Sequence, residues 1–362
     1  MPVLTVTALD LETWAETMQA KAEFPWLLRR LVWATCSEIQ QVDFRGGHHV
    51  YMRGFDGLVD CGRGNHIVSA GVSGWELTTE KNVTKKANAD YNKRTLNSGG
   101  LDKAKTSFIF ATPCSWPRGR DWEREKRAAK QWGDVRAVSS DDLEMWMDEV
   151  PWIATEFAHF SLGKDIAGLR TPEMIWNVYS NVPTPSGNRL GPEFVVGGRN
   201  PILSQLLNWM ASEIVGGGKR ILRISASSGR EALDFLAAGI RSATEPGYAK
   251  LASRVVVIDN EVSARALRGV SADHTIIGSG DVIPHMIELA RKTSCKVIIF
   301  HARSNPVASP LPGIDAIDLE PIAKSEMIRA VIGLGYPPEQ AGQLCEEHSF
   351  DYERIRRFVF LC

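Results

Sequence analysis

Residues 107–112 read SFIFAT, a short run that is apolar on both of its alternating faces. Such a strand has to be covered from above and below, so it asks for a sheet with helices on both sides. The runs RVVVID (254–259) and CKVIIF (295–300) make the same demand further along. The chain around them supplies the covering helices. In FPWLLRRLVWATCSEIQQ (24–41), Leu27, Leu28, Leu31, Val32 and Cys36 recur at helical spacing, which predicts one amphipathic helix. In NVTKKANADYNKRT (82–95), Val83, Ala87 and Tyr91 stand four apart with the charges on other faces, which predicts another. RDWEREKRAAKQW reads as a helix, DVRAVS as a strand and SSDDLEMWMDEV as a Ser/Asp-capped helix ending at Pro151. HVYM (49–52), FDGLVDC (55–61) and GWELT (74–78) read as strands of an antiparallel meander, the last two joined by a turn-rich segment. The fold class is α/β.

A chain of 362 residues exceeds one ordinary core. The segment 166–192, rich in Pro, Ser, Gly and Asn, is the expected linker after a first domain over 1–165. Beyond it, NPILSQLLNWMASEIV, RILRIS, GREALDFLAAGIRSA, RVVVID and CKVIIF alternate helix and strand, which predicts a parallel sheet over 193–318. A helical subdomain over 319–362, broken at GYPP, follows. The final run RRFVFLC reads as strand-like, and leaves open a fragment of something longer or a shortened form.

With 42 basic and 43 acidic residues the net charge is −1, so a nucleic-acid partner must be met by a local patch. Six cysteines, none in a C-x-x-C pair, argue against a structural zinc site and a disulfide framework, and fit a reducing cytoplasm. The opening MPVLTVTALDLETW has no leader pattern, and no apolar run approaches the roughly 18 residues of a membrane span. The expected location is cytoplasmic, with no membrane partner.

Two acids interrupt apolar strands: Asp56 in FDGLV and Glu76 in GWELT. Desolvating an unpaired carboxylate costs several kcal/mol, so each needs a cation, a hydrogen-bond partner or a raised pKa. A salt bridge, a turn or a metal would serve. If the two strands pair, both carboxylates converge at one end of the sheet, a hard-oxygen set with open positions that suits Mg²⁺ or Mn²⁺. Glu38, at the end of the first helix, is a further carboxylate to weigh against an ordinary surface role. His48 and His49 are loop histidines with a phosphate as one conceivable contact. Around Trp116 and Trp122 several arginines are interleaved, including Arg118 and Arg120, a mixture that can stack bases and follow a backbone or can simply pack a helix. Lys85, Lys86, Lys93 and Arg94 form either a solvated helix face or a phosphate-facing one, with Lys86 and Asp90 an ordinary i,i+4 pair.

VYMRGFDGLVDC, SGWELTTEKNVTKKANADYNKRT and TSFIFATPCSWPRGRDWEREKRAAKQWGDVRAVSSDDLEMWMDEVP together resemble the nuclease module of the PD-(D/E)XK superfamily found in large bacterial anti-phage and STAND-type proteins. The resemblance implies a restriction-endonuclease-like mixed sheet flanked by helices, and a Mg²⁺- or Mn²⁺-dependent endonuclease acting on foreign DNA. It carries the metal-holding acids onto Asp56 and Glu76. Where the superfamily has a lysine two residues after the acid, this chain has Thr78, so the resemblance implies a migrated lysine, Lys86 or Lys85. Lys93, Arg94, Arg118 and Arg120 are the implied DNA contacts.

RILRISASSGREALDFLAAGI has the shape of a P-loop without its chemistry. Against G-x-x-x-x-G-K-[ST], Ile224 replaces the first Gly, Arg230 the Lys and Glu231 the Ser/Thr. RVVVIDN ends in Asp259 followed by Asn260, with no second acid to position water. This argues against ATP hydrolysis, and the stretch is similar to the P-loop module of STAND-like proteins, degenerate here. Its expected role is a scaffold or regulator, with self-association left open. The alternative reading is a nucleic-acid-binding or signalling scaffold in which both enzyme folds are dead.

Overall fold

The computed structural model describes residues 5–44, 54–164, 166–181, 189–213, 220–244, 247–304 and 315–361. The chain divides into two compact units, Met1–Ile166 and Ala167–Cys362. Both are mixed α/β, each built on one sheet with helices packed against it.

The first unit runs α1 (Ala8–Ala15), α2 (Ala20–Thr35), β1 (Ser37–Phe44), β2 (Gly57–Arg63), β3 (Gly71–Leu77), α3 (Val83–Leu96), β4 (Thr106–Ala111), α4 (Gly119–Ala128), β5 (Asp134–Val138), α5 (Ser140–Glu149) and α6 (Pro151–Leu162). Its strands lie in sequence order, β1-β2-β3 antiparallel and β3-β4-β5 parallel. The switch falls at β3, whose crossover to β4 is made by α3, and every residue of β4 is buried, as SFIFAT requires.

The long helix expected over 24–41 ends earlier. Cys36 turns extended, and Ser37–Phe44 leaves to become β1, paired with β2 across a bulge between Ile39 and Gln41. Cys36 continues the apolar stripe of α2 and so disguises the boundary. Ile39, Val42 and Phe44 carry the strand character instead, and Phe44 meets Trp75 edge-on at 5.3 Å. The meander therefore exists with β1 as its first strand, while the predicted HVYM strand and His48 and His49 lie outside the described residues.

One side of this unit is an aromatic cluster that pins α3 and α4 to the sheet: Phe55, Tyr91, Phe108, Phe110, Trp116, Trp122 and Trp132. Trp116 and Trp122 are buried there, with indole N–H groups donating to Thr84 and Asn88 of α3 at 3.0 Å. They pack the helices and are not available to stack bases. Elsewhere in the unit Arg30 of α2 and Glu156 of α6 form a buried bidentate pair at 2.8 and 2.6 Å.

The second unit contains β6 (Leu169–Arg170), α7 (Pro172–Ser180), α8 (Glu193–Val196), α9 (Asn200–Ala211), β7 (Ile221–Ala226), α10 (Gly229–Ser242), α11 (Gly247–Arg254), β8 (Val255–Ile258), α12 (Glu261–Ala266), β9 (Thr275–Gly278), α13 (Ile283–Thr293), β10 (Lys296–Ala302), β11 (Asp315–Asp318), α14 (Lys324–Gly333), α15 (Pro338–Glu347) and α16 (Tyr352–Leu361). Its sheet order is β11-β7-β10-β9-β8-β6, parallel throughout except for the edge strand β6. Part of the expected linker is thus ordered structure of this unit. β6 pairs with β8, and α7 starts on a Thr171 cap with Pro172 in its first turn and buries Met174, Ile175 and Tyr179. The strand-like run at the end is helical in α16, because Tyr352, Ile355, Arg356 and Val359 place one buried face at helical spacing.

Candidate functional site

Asp56 sits one residue before β2, where the ladder to β3 begins. Its N–H donates to Trp75 O at 3.0 Å, and its carboxylate accepts from Leu77 N–H at 2.9 Å. It therefore grips the main chain on both sides of Glu76. Glu76 is 3 % exposed on β3, opposite Phe110 of β4. Burial and the Asp56 charge together push its pKa up to about 7. Burial raises Asp56 as well, against the opposing pull of the Leu77 N–H. The two strand acids are thus electrostatic neighbours.

The cations come from α3. Its inward face is Val83, Ala87, Asp90, Tyr91 and Arg94, with Lys86 half-buried beside it. Lys86 Nζ lies 3.2 Å from Asp90 Oδ1, while Asp90 Oδ2 is buried and has no hydrogen-bond partner among the described residues. Against the cost of its own burial, Asp90, Glu80 and Glu76 hold the Lys86 ammonium above its usual pKa. Arg94 donates to Glu76 Oε1 and to the carbonyl of Gly54, and its guanidinium lies 4.8 Å from the centroid of the Phe55 ring. Arg94, implied as a DNA contact, is carried largely inward with Asp90 and Tyr91 by the helical period, while it also lines one groove together with Lys93.

A groove of about 220 Å³ is lined by Lys21, Phe24, Pro25, Asp56, Leu77, Thr78, Thr79, Glu80 and Lys86, while Glu76, Asp90 and Arg94 are not among its lining residues. Asp56 and Lys86 therefore face one space. Thr78, where the superfamily has lysine, instead accepts the Glu80 N–H at 3.0 Å and turns the chain toward α3. Lys85 is exposed and does not line the groove. Lys93 is exposed and lines a separate groove of about 660 Å³ with Gln41, Asp43 and Asn97. Arg118 is exposed at the start of α4. Arg120 is exposed but paired with Asp142 and Glu123, beside Arg127 and Arg136 in a third pocket whose arginines are matched by acids. Glu38 lies in β1 at φ 54°, 3.5 Å from Arg63.

Among the described residues, no group of three or more His, Cys, Asp or Glu is arranged to hold a metal. The donor chemistry still suits a hard divalent cation held by Asp56 and Glu76 with water filling the remaining positions, and the orphaned oxygen of Asp90 adds negative charge beside them. Sequence reasoning missed the inward roles of Asp90 and Arg94. The signal was present: Lys86, Asp90 and Arg94 recur every four residues along one helix side.

In the second unit the loop between β7 and α10 is occupied from within. Ser228 caps α10 by accepting from Glu231 N–H at 3.0 Å, and the fully buried Glu231 carboxylate accepts Ser227 N–H at 2.9 Å and Arg199 at 2.6 Å. A carboxylate of the chain itself takes the backbone donor that a P-loop would offer to phosphate. Arg230 lies 3.1 Å from the buried Asp234, which also receives Tyr352 O–H at 2.9 Å. Asp259 is held by Arg170 at 2.7 and 2.5 Å. Among the described residues no helix is long and apolar enough to cross a membrane. No family model and no curated protein matches this chain.

Proposed function

We propose that the protein is a metal-dependent nuclease of the PD-(D/E)XK type that hydrolyses phosphodiester bonds in foreign DNA, with a P-loop-like second unit that does not turn over nucleotide. The observation that carries this reading is the meeting of Asp56, Glu76 and Lys86 at one end of a mixed sheet, with Asp56 and Lys86 lining the same groove. The helix, antiparallel meander, crossover helix and parallel strand around them support the same architecture.

Asp56 and Glu76 are the residues that would hold Mg²⁺ or Mn²⁺; such an ion activates water and neutralises phosphate charge when bound. The chain's own contribution is positioning and charge. Asp56, clamped at both its N–H and its carboxylate, has little freedom to leave the groove. Lys86 presents a fixed ammonium where a phosphorane gains negative charge, and it takes the part of the lysine that Thr78 cannot play. Asp90 keeps that ammonium protonated and aimed.

The test is cleavage of plasmid and linear DNA by the purified chain with Mg²⁺ or Mn²⁺, beside Asp56→Ala. Cutting by the parent and not by the variant supports the reading; no cutting by either, under both metals, overturns it. A catalytically dead nucleic-acid-binding scaffold is the second reading. It is favoured by one observation, the neutralisation of Glu76 by Arg94. DNA binding without cleavage, unaffected by Asp56→Ala, would select it.

A further inference from the structure

Arg94 occupies the position of a counter-cation. Its guanidinium bridges the Glu76 carboxylate and the Gly54 carbonyl, stacks on Phe55, and is almost wholly buried. A divalent ion held by Asp56 and Glu76 would share a carboxylate with this guanidinium, and two cations on one buried oxygen set repel strongly in a low-dielectric site. Loading therefore competes with an ion pair already in place.

We propose that Arg94 is a resident counter-ion that a divalent metal must displace from Glu76, so that the acidic pair is held closed until the guanidinium withdraws. This rests on the reading that Asp56 and Glu76 are the metal-holding acids. The surroundings suit such a device. The guanidinium has a second acceptor, Gly54 O, and an aromatic face to rest on, so leaving Glu76 does not strand it. Asp90, with one carboxylate oxygen buried and unpartnered on the same helix, offers a nearby negative charge one turn away. Lys86 is already held by the other oxygen of Asp90 and stays where it is.

The experiment is a titration of the full chain with Mn²⁺ alone, read as the shift in melting temperature, for the parent, Arg94→Gln, Arg94→Lys and Asp56→Asn in the Arg94→Gln background. Arg94→Gln should load at about tenfold lower Mn²⁺, a difference of about 1.4 kcal/mol in binding. Arg94→Lys, which keeps the charge but cannot span both acceptors, should shift the midpoint by about threefold, and it carries the test if the glutamine variant does not fold. Asp56→Asn should abolish the response. A purely structural Arg94 would change the melting temperature without metal and leave the titration midpoint alone. An unchanged or higher midpoint in both arginine variants, with Asp56→Asn still abolishing the response, overturns the counter-ion role and leaves the metal reading standing. No Mn²⁺ response in any of the chains overturns both.

Discussion

Asp56 holds Glu76 by gripping its two neighbours: one hydrogen bond joins Asp56 N–H to Trp75 O, and another brings Leu77 N–H to the Asp56 carboxylate. A strand side chain is aimed by its backbone, so this clamp fixes which way Glu76 points and places the second carboxylate beside it. It also satisfies Asp56 only in part, because the backbone donor offsets some but not all of its desolvation. The site thus keeps more negative charge than its local hydrogen bonds balance.

That excess has a signature in pH. Glu76 titrates near 7 in the folded chain against 4.5 for the free side chain, so between these values the folded state binds more protons than the unfolded state. The stability that Glu76 contributes is then highest below about pH 4.5, falls as pH rises to 7, and is level above it. The contribution is on the order of 3 kcal/mol. Glu76→Gln removes the titration. The stability difference between parent and Glu76→Gln, taken from urea unfolding, should therefore move against the parent from pH 4.5 to 7.5, and saturating Mn²⁺ should flatten that slope.

Lys86 is the side chain on which turnover should depend most after the acids. Removing one preorganised charge from a site of this kind costs about 10²–10³ in rate. Lys86→Ala should lower DNA cleavage by that order with the fold intact, whereas Lys85→Ala should change it less than twofold. Initial rates of plasmid nicking, with circular dichroism of each variant, check both expectations.

The strands and helices of this chain were legible wherever one period ran unbroken, as in SFIFAT and in the stripe of Val83, Ala87 and Tyr91. The boundary at Cys36 was not, since a residue that prolongs a helical stripe says nothing about the β2 edge that captures the next eight residues. The edge strand β6 is two residues long and exists through its pairing with β8. At the proposed site, Asp56 and Glu76 stand out as acids on apolar strands, whereas the lysine, Lys86 or Lys85, follows only from the superfamily resemblance. Arg94 was assigned outward because a basic residue is a poor guide to burial, and only the acid it meets across α3 and β3 turns it inward.

The Arg30–Glu156 pair tests how the first unit resists loss of a buried charge. Truncating Glu156 to Ala takes the bidentate carboxylate away from the buried Arg30, and removing one partner of such a pair costs about 3–5 kcal/mol. Arg30→Met with Glu156→Leu removes both charges and refills the volume. It should recover most of that loss, as measured by urea midpoints of Glu156→Ala and the double variant.

The second unit should be indifferent to ATP, for a reason that can be reversed in part. Glu231 fills the loop from below, held by Arg199 and by Ser227 N–H, so a phosphate would meet a carboxylate where it needs a donor. Addition of Mg-ATP should leave the melting temperature of the parent unchanged. Glu231→Ala frees the backbone donor but strands the Arg199 guanidinium, which is 5 % exposed, so it should destabilise by about 3–5 kcal/mol. Inorganic phosphate should then restore part of the loss, because an anion entering the vacated space meets Arg199 and the start of α10 together. Melting curves of Glu231→Ala with and without phosphate decide the matter. A Glu231→Ala chain as stable as the parent would mean that the Arg199 pair contributes little to holding this loop.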